Sequence, residues 1–455
     1  MTKSQINTTW IEGIYQPPNF QSVIFAGFEV SQLSPMTILI SHFIDNIDLS
    51  CFNQYYKANK ITGGRPNFDF RILLKIYMYS LYSNISINKI HEYNSLGSNL
   101  HYLSQNLKNF PERSLFSKFL NILDFHINDI FDLSLEYISQ EITIDTSISF
   151  CDGTVFEACN SRHKVITDTN IARSNTKWSN VLNNPNASED DKELAIAKLQ
   201  LNEERTAKLK DLGRTSYGRT DEDYVILKDK NGSFIAGYNA QFVEENNYGL
   251  VVYAYISNKN PDSAAFLDMA DDLVSKIHLE YLVLDSGYGT PEILIKLNNH
   301  KIDAVVKAVK NKDLTKKITD YSFELSEGED YLVCPEGQIL EQIPTKKTNM
   351  VAFKAANCQL CELKDKCLDT AKNKRVTINL KEFKAMKHAA KIISSKKGIE
   401  LYSHRGNKCE SPNGFIKYNL NGKKLKSKGL TRNNTILKLY VIIYNFRRLI
   451  SIKKD

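Results

Sequence analysis

Tyr281-Leu282-Val283-Leu284-Asp285-Ser286-Gly287 is the stretch that decides the fold class. An apolar run with no polar alternation describes a strand buried on both faces, as in the parallel part of an α/β sheet. Asp285 then falls at the strand end, where such sheets bind ligands. Asp-Ser-Gly is equally what a tight turn needs. Upstream, residues 224–228, 234–241 and 249–256 read as β-rich runs, with turn residues such as Lys230-Asn231-Gly232 and Asn246-Asn247 between them. Ile142-Thr143-Ile144 and Ile148-Ser149-Phe150 read as earlier strand segments, the second leading through Cys151 into Asp152-Gly153. Residues 262–277 and 291–298 read as helices and 302–306 as a further strand. Three antiparallel runs, then helix, strand, helix, strand, describe an α/β layer with a mixed sheet.

Ahead of this layer the pattern is helical from 36 to 123. Ile72, Leu73, Ile76, Tyr79 and Leu81 form an apolar stripe, with Gly63-Gly64 and Pro66 marking the turn before it. Residues 86–92 restart as a helix, and Pro111 opens another over 114–123. Short helices with tight turns suit a helix-turn-helix reader of DNA and equally a small bundle. Two segments interrupt the α/β part. Residues 161–213 are helical and highly charged, with Ser188 and Asp191 placed as a helix cap. Residues 311–397 hold a cysteine window. A helical stretch over about 412–452 follows.

The chain has 455 residues, 42% of them hydrophobic and 24% charged, which excludes a disordered chain, a collagen and a disulfide-dense miniprotein. No N-terminal stretch reads as a secretion signal, and no apolar run reaches the roughly 18 residues of a membrane span. A cytoplasmic protein without membrane contact is expected. The net charge of +7 conceals an asymmetry: residues 372–455 hold 22 Lys and Arg against four acids, a net of +18, whereas the rest holds 37 against 48, a net of −11. Such a split fits a polyanion contact through the C-terminal part, and also a solvated basic surface.

Of the eight cysteines, Cys334, Cys358, Cys361 and Cys367 fall in one 34-residue window. In a polar, lysine-rich segment with few apolar residues, they suggest a structural four-cysteine Zn²⁺ site; buried unpaired cysteines are the other reading. Cys51, Cys151, Cys159 and Cys409 read as packing residues. No phosphate loop, His-Glu-x-x-His pair or Gly-x-Ser-x-Gly elbow is present, so ATP use and those hydrolytic chemistries are not indicated.

Asp152, Asp285 and the series Tyr402-x2-Arg405-x4-Glu410-x6-Lys417 form the candidate constellation. If the chain is helical from Glu410, then Glu410 and Lys417 share a face two turns apart. Pro412 reads as a first helical residue, which places Glu410 just ahead of the helix. Three converging carboxylates make an oxygen-rich site suited to Mg²⁺ or Mn²⁺. A pair of such ions activates a water or a 3′-hydroxyl in phosphodiester chemistry. Taken singly, each Asp is also a turn former and each cation also a solvated side chain.

From about Phe20 to Ile450 the chain resembles bacterial insertion-sequence transposases of the DDE class, through four motifs in order. Asp152-Gly153-Thr154-Val155-Phe156-Glu157-Ala158 looks like that family's first-aspartate motif, and Gly237-Tyr238-Asn239-Ala240-Gln241 is similar to its G-Y-N-x-Q strand. Asp285-Ser286-Gly287-Tyr288-Gly289 is similar to the segment around its second aspartate. Tyr402, Arg405, Glu410 and Lys417 resemble its Y-R-E-K signature. The cysteine window resembles its cysteine-rich insertion, and Phe110-Pro111-Glu112-Arg113-Ser114-Leu115-Phe116 its helical N-terminal domain.

The resemblance implies an α/β, RNase H-like mixed-sheet catalytic domain over 136–455, with a helical insertion at 161–213 and a cysteine-rich insertion at 311–397. An N-terminal arm (1–30) and a helical, DNA-binding-like domain (31–135) would precede it. It further implies metal-dependent cleavage at element ends and strand transfer into target, on double-stranded DNA, by a homodimer in the bacterial cytoplasm at the nucleoid. Asp152 would bridge two Mg²⁺ or Mn²⁺ ions, with Asp285 and Glu410 each completing one. Arg405 and Lys417 would contact the DNA backbone, with Tyr402 beside them. Asn239 and Gln241 share one face of their strand, so both reach the site or both are scaffold. A nuclease of the same fold without strand transfer, and an inactive DNA-binding derivative, are the alternatives.

Overall fold

The structure, a computed structural model, describes residues 33–55, 69–93, 98–104, 110–159, 165–228, 232–307, 318–368 and 371–454. The expected N-terminal arm, the Gly63-Gly64 turn with Pro66, most of the Lys230-Asn231-Gly232 turn and the start of the second insertion lie outside the described residues.

Helices open the chain: α1 (Pro35–Asn46), α2 (Phe70–Tyr82), α3 (Ile90–Tyr93), α4 (Ser98–Leu103) and α5 (Arg113–Ser139). Ser34 starts α1 by accepting the Thr37 amide, with Pro35 at the first helical position. Asp69 starts α2 by accepting the Arg71 amide, and the expected stripe is buried through Ile72, Leu73 and Ile76. Two expectations fail here. Residues 86–89 are turns, and only the end of that segment is helical, as α3. The helix expected over 114–123 runs on to Ser139. Apolar residues recur through Ile127, Ile130, Phe131 and Ile138, and no Gly or Pro stops it.

β1 (Ile148–Glu157) follows. Residues 142–144 are irregular rather than a strand, and Ile142 and Ile144 pack against the core instead. A two-stranded ribbon, β2 (Val165–Thr167) with β3 (Ser216–Gly218), carries a helical hairpin of α6 (Asp168–Leu182) and α7 (Glu189–Asp211). Ser188 caps α7 by accepting the Asp191 amide at 3.1 Å. Then come β4 (Val225–Lys228), β5 (Phe234–Glu245), β6 (Val251–Ser257), α8 (Asp262–Lys276), β7 (Tyr281–Leu284), α9 (Pro291–Asn299) and β8 (Asp303–Val305).

The central sheet runs β6–β5–β1–β7–β8, with β4 sharing the outer edge of β5 with β6. β5 is antiparallel to both β1 and β6, while β7 and β8 run parallel to β1. This is the mixed sheet expected, and it is consistent with an RNase H-like fold.

The second insertion is an antiparallel sheet of β9 (Glu324–Leu325), β10 (Tyr331–Val333), β11 (Ile339–Ile343), β12 (Val351–Ala355) and β13 (Arg375–Ile378), with a short α10 (Lys364–Cys367) before the last strand. It encloses its own core of Phe323, Leu332, Leu340, Phe353 and Val376, against the expectation that this segment has few apolar residues to bury. Three helical segments complete the chain: α11 (Leu380–Ser394), α12 (Lys396–Gly414) with a π-helical turn over Phe415–Asn419, and α13 (Leu430–Ile452). The helical stretch expected from about 412 therefore begins much earlier. α11, expected within the insertion, packs on the central sheet through Ala385, Met386 and Ala389.

Alternation along the strands divides the sheet's side chains between two layers. Cys151, Leu282 and Leu284 face Phe266, Met269, Leu273 and Ile293 of α8 and α9. Phe150, Val283 and Val305 face Ile393, Leu401 and Cys409 of α11 and α12. α13 is buried along most of its length and shares one core with α1, α2, α5 and the sheet residues Phe156, Tyr238 and Phe242. Arg432 Nε (3.0 and 2.9 Å) and Thr435 Oγ1 (2.6 Å) donate to the Asp124 carboxylate, pinning α13 to α5. Among the described residues, no helix is long and apolar enough to cross a membrane.

Candidate active site

The parallel register of β1 and β7 ends with Cys151 opposite Leu284. One residue further, Asp152 and Asp285 stand side by side where the pairing of β1 with β7 stops, on the face that carries Phe150 and Val283. Asp152 does not end its strand: β1 continues to Glu157 against β5, and only the pairing with β7 stops. Nor does Asp152-Gly153 turn the chain. Gly153 faces the opposite layer, where a Cβ would stand 2.5 Å from Asp262 Oδ1 and 2.6 Å from Gln241 Nε2. Asp285 caps the short 3₁₀ turn Ser286–Tyr288, accepting the Ser286 amide at 2.7 Å.

α12 crosses this face. Arg405 Nη2 lies 3.2 Å from Asp152 Oδ1 and 3.4 Å from Asp285 Oδ2, so one guanidinium spans both carboxylates. Burial opposes its charge, but Asp285 and Asp152 outweigh the burial and raise its pKa. Cys409, one turn on, is buried, and burial followed by the Asp152 charge pushes its thiol up. Lys417 donates to Thr154, the next residue of β1 on the same face, and its Nζ lies 5.2 Å from the Phe156 ring centre. The Tyr402 ring carries Lys307 Nζ at 4.6 Å, and its hydroxyl pKa is raised by burial and then by Asp285. Asp152, Asp285, Tyr402, Arg405 and Lys417 are thus gathered on one face.

Glu410 is not gathered with them. It lies inside α12, with Pro412 also inside the helix rather than at its start. At 3.6 residues per turn it points about 140° round from Arg405. Its side chain is exposed. Among the described residues, no group of three or more His, Cys, Asp or Glu is placed to hold a metal ion. Asp152 and Asp285 do fit a divalent cation by donor type, as hard carboxylate oxygens on one face. Arg405 takes the cationic position between them.

Asn239 and Gln241 sit in the layer opposite the carboxylates. Asn239 Nδ2 donates to Asp262 Oδ1 at 2.7 Å, Gln241 Nε2 to Asn239 Oδ1 at 2.9 Å, and Tyr288 OH to Gln241 Oε1 at 2.5 Å. They tie β5 to the start of α8 and to the turn after Asp285. Sequence reasoning missed Asp262, and it held Tyr288 only as part of the motif around Asp285, since the contacts of both depend on tertiary structure. It also missed Glu244, which pairs with Phe150 across β1–β5 and so lies on the Asp152 face. Burial raises Glu244 to about 8, against the opposing pull of Lys408 and Arg448.

At the insertion, Cys334 Sγ accepts the Gln338 amide at 3.2 Å and Cys358 Sγ the Lys374 amide at 3.5 Å. Burial raises the Cys367 thiol, Lys374 opposes it, and the charges of Cys358, Cys361 and Cys334 add to the rise. The four sulfurs therefore share one end of the small sheet. They fit Zn²⁺ by donor set and by their amide donors, although they are not drawn into a ligand group.

Residues 333–450 match the family model of the transposase DDE domain. The match takes in all four window cysteines together with Tyr402, Arg405, Glu410 and Lys417, while Asp152 and Asp285 lie outside it. It supports a DDE-type transposase, and with it an enzyme of DNA phosphodiester chemistry at the level of class. No curated protein and no solved structure matches the chain.

Proposed function

We propose that this chain is a DNA transposase that cuts at the ends of its element and joins the freed 3′-hydroxyl to target DNA. The observation that carries the reading is the pair Asp152 and Asp285, side by side on parallel strands and spanned by Arg405. Asp152 and Asp285 would hold Mg²⁺ or Mn²⁺, and Glu410 is the third candidate ligand. Bound there, such an ion lowers the pKa of an attacking oxygen and stabilises the leaving one. Arg405 would exchange its two carboxylates for a DNA phosphate, since a guanidinium binds either in the same forked geometry. Lys417 would hold a neighbouring phosphate, with Tyr402 flanking. Cys334, Cys358, Cys361 and Cys367 would hold a structural Zn²⁺. Double-stranded DNA is the partner, and a homodimer is proposed because two ends must be held together.

The exposed position of Glu410 favours a second reading, a DNA-binding derivative that does no chemistry. The test is incubation of the purified chain with a plasmid carrying the gene's own flanking DNA, with Mg²⁺, with EDTA, and as Asp285→Asn. Metal-dependent nicks at fixed positions, lost in the variant, are expected. Joined products separate a transposase from a simple nuclease. Tight binding with no cut in Mg²⁺ or in Mn²⁺ substituted for it would leave only the second reading.

A further inference from the structure

The loop between β3 and β4 carries Asp221-Glu222-Asp223. Glu222 is exposed and pairs with Lys208 of α7. Asp221 is turned inward and is only 4% exposed. Tyr238 OH donates to its Oδ2 at 2.6 Å, and the Asp223 amide reaches its Oδ1 at 3.2 Å. Among the described residues, no Lys, Arg or His forms an ion pair with it. Arg214 Nη1 bonds the Glu222 carbonyl instead, at 2.9 Å. Asp223 Oδ2 accepts the Leu430 amide at 2.7 Å, so the positive end of α13 answers that charge. The Asp221 charge has no such answer, although a buried charge is normally paired or on a metal.

Two further polar side chains end at the same place. Asn433, in the first turn of α13, is 0% exposed, and neither its Oδ1 nor its Nδ2 has a partner. Tyr224 is equally buried, and its hydroxyl has none. Both stand within electrostatic reach of the Tyr238–Asp221 pair. Burial and then Asp221 push the Tyr224 phenol up to about 12. Burial and then Asp221 also raise the Tyr238 phenol, and Asn433 pulls it the other way. Gly218 of β3 fixes the Tyr224 ring, since a Cβ there would stand 2.0 Å from it.

Buried groups of this kind normally find partners. A water would serve the amide and the phenol but bring no charge to Asp221. A hydrated cation serves all three. Two carboxylates and a carboxamide oxygen are hard donors, the kind that Ca²⁺ and Mg²⁺ take. Asn433 Nδ2 and the Tyr224 hydroxyl would bond water retained by the ion.

We propose that Asp221, Asp223 and Asn433 hold a divalent cation, Ca²⁺ or Mg²⁺, between the β3–β4 loop and the first turn of α13. The ion fastens the stem of the helical insertion to α13. Asp152 and Asp285 take no part, so the proposal does not rest on the DNA-acting reading.

The test uses the full chain carrying Asp285→Asn, which disables the carboxylate pair; the cysteine thiolates favour neither ion. After removal of bound cations, Ca²⁺ and Mg²⁺ are titrated in, with heat and the urea midpoint as readouts. About one ion per chain is expected to bind and to raise the midpoint. Asp221→Asn added to that chain should abolish both responses. Without divalent cation the order reverses: Asp221→Asn should match or exceed its parent, because it removes an unanswered buried charge. Asn433→Leu should weaken binding at least about tenfold, and it decides the matter if Asp221→Asn does not fold. Glu222→Gln, on the outer side of the loop, should leave binding unchanged. No response of the Asp285→Asn chain to either ion, or a response that survives Asp221→Asn, would overturn the proposal. So would an Asn433→Leu midpoint lowered equally with and without cation, the result a buried water alone predicts.

Discussion

At Gly153 a single hydrogen does the work of a side chain. Beneath Asp152, the network of Asp262, Asn239, Gln241 and Tyr288 reaches up to the strand, and the hydrogen leaves it room. Gly153→Ala should cost about 1–3 kcal/mol of overpacking, read as a lower urea midpoint, with Asp152 displaced and cleavage reduced. An unchanged midpoint would mean that the network gives way freely. On the other layer, Glu244 Oε2 is buried without a partner. Its pKa rises from 4.5 unfolded to about 8 folded, with Lys408, Arg448 and Glu245 the charges facing it. The folded state therefore keeps a proton that the unfolded state has lost. This contribution to stability is full below about 4.5 and is lost as pH rises through 8, on the order of 5 kcal/mol in all. Glu244→Gln should flatten that fall, which urea midpoints at acid and alkaline pH will show; an equally steep fall in the variant would assign it to another group. Asp152 and Asp285 were legible from sequence because apolar runs precede them. The continuation of β1 through Asp-Gly was not, because turn propensity is local and the room needed by Asp262 is not.

Among the elements, the α/β succession from β5 to β8 was legible because apolar strands and amphipathic helices differ in period. The antiparallel insertion was not. Its strands are two to five residues long, too short to show a period, and its core is assembled from single residues such as Leu332, Leu340 and Phe353. The same sheet gathers Cys334, Cys358, Cys361 and Cys367. Protein purified without chelator should carry about one zinc per chain by elemental analysis. Cys361→Ser should lose it and become sensitive to proteolysis within 318–378. Full thiol titration with no metal present would return the four residues to simple packing. Misreading of Pro412 as a helix start has a clear cause: proline is favoured at first helical positions. In α12 it sits two residues from the last, where its missing N–H removes only the bond to the Lys408 carbonyl.

Across the whole molecule, the charge asymmetry read from composition has a definite address. Arg405, Lys408 and Lys417 lie on the carboxylate face, and Lys423 and Lys424 are fastened at Glu157, the last residue of β1. Composition located the positive segment but not the surface it makes, since that depends on where a loop is fastened. The packing of α13 was likewise beyond a local reading. The sequence showed a helical stretch there, but not that it would be buried against residues 35–139. Those early helices already pack on one another, Phe43 against Tyr137 and Phe70 against Phe119, while Phe446 and the rest of α13 complete their core. They are synthesised long before residues 430–452, so the front of the chain leaves the ribosome with part of its apolar surface uncovered. A message that breaks before α13 is translated yields a helical front whose interior stays open on one side.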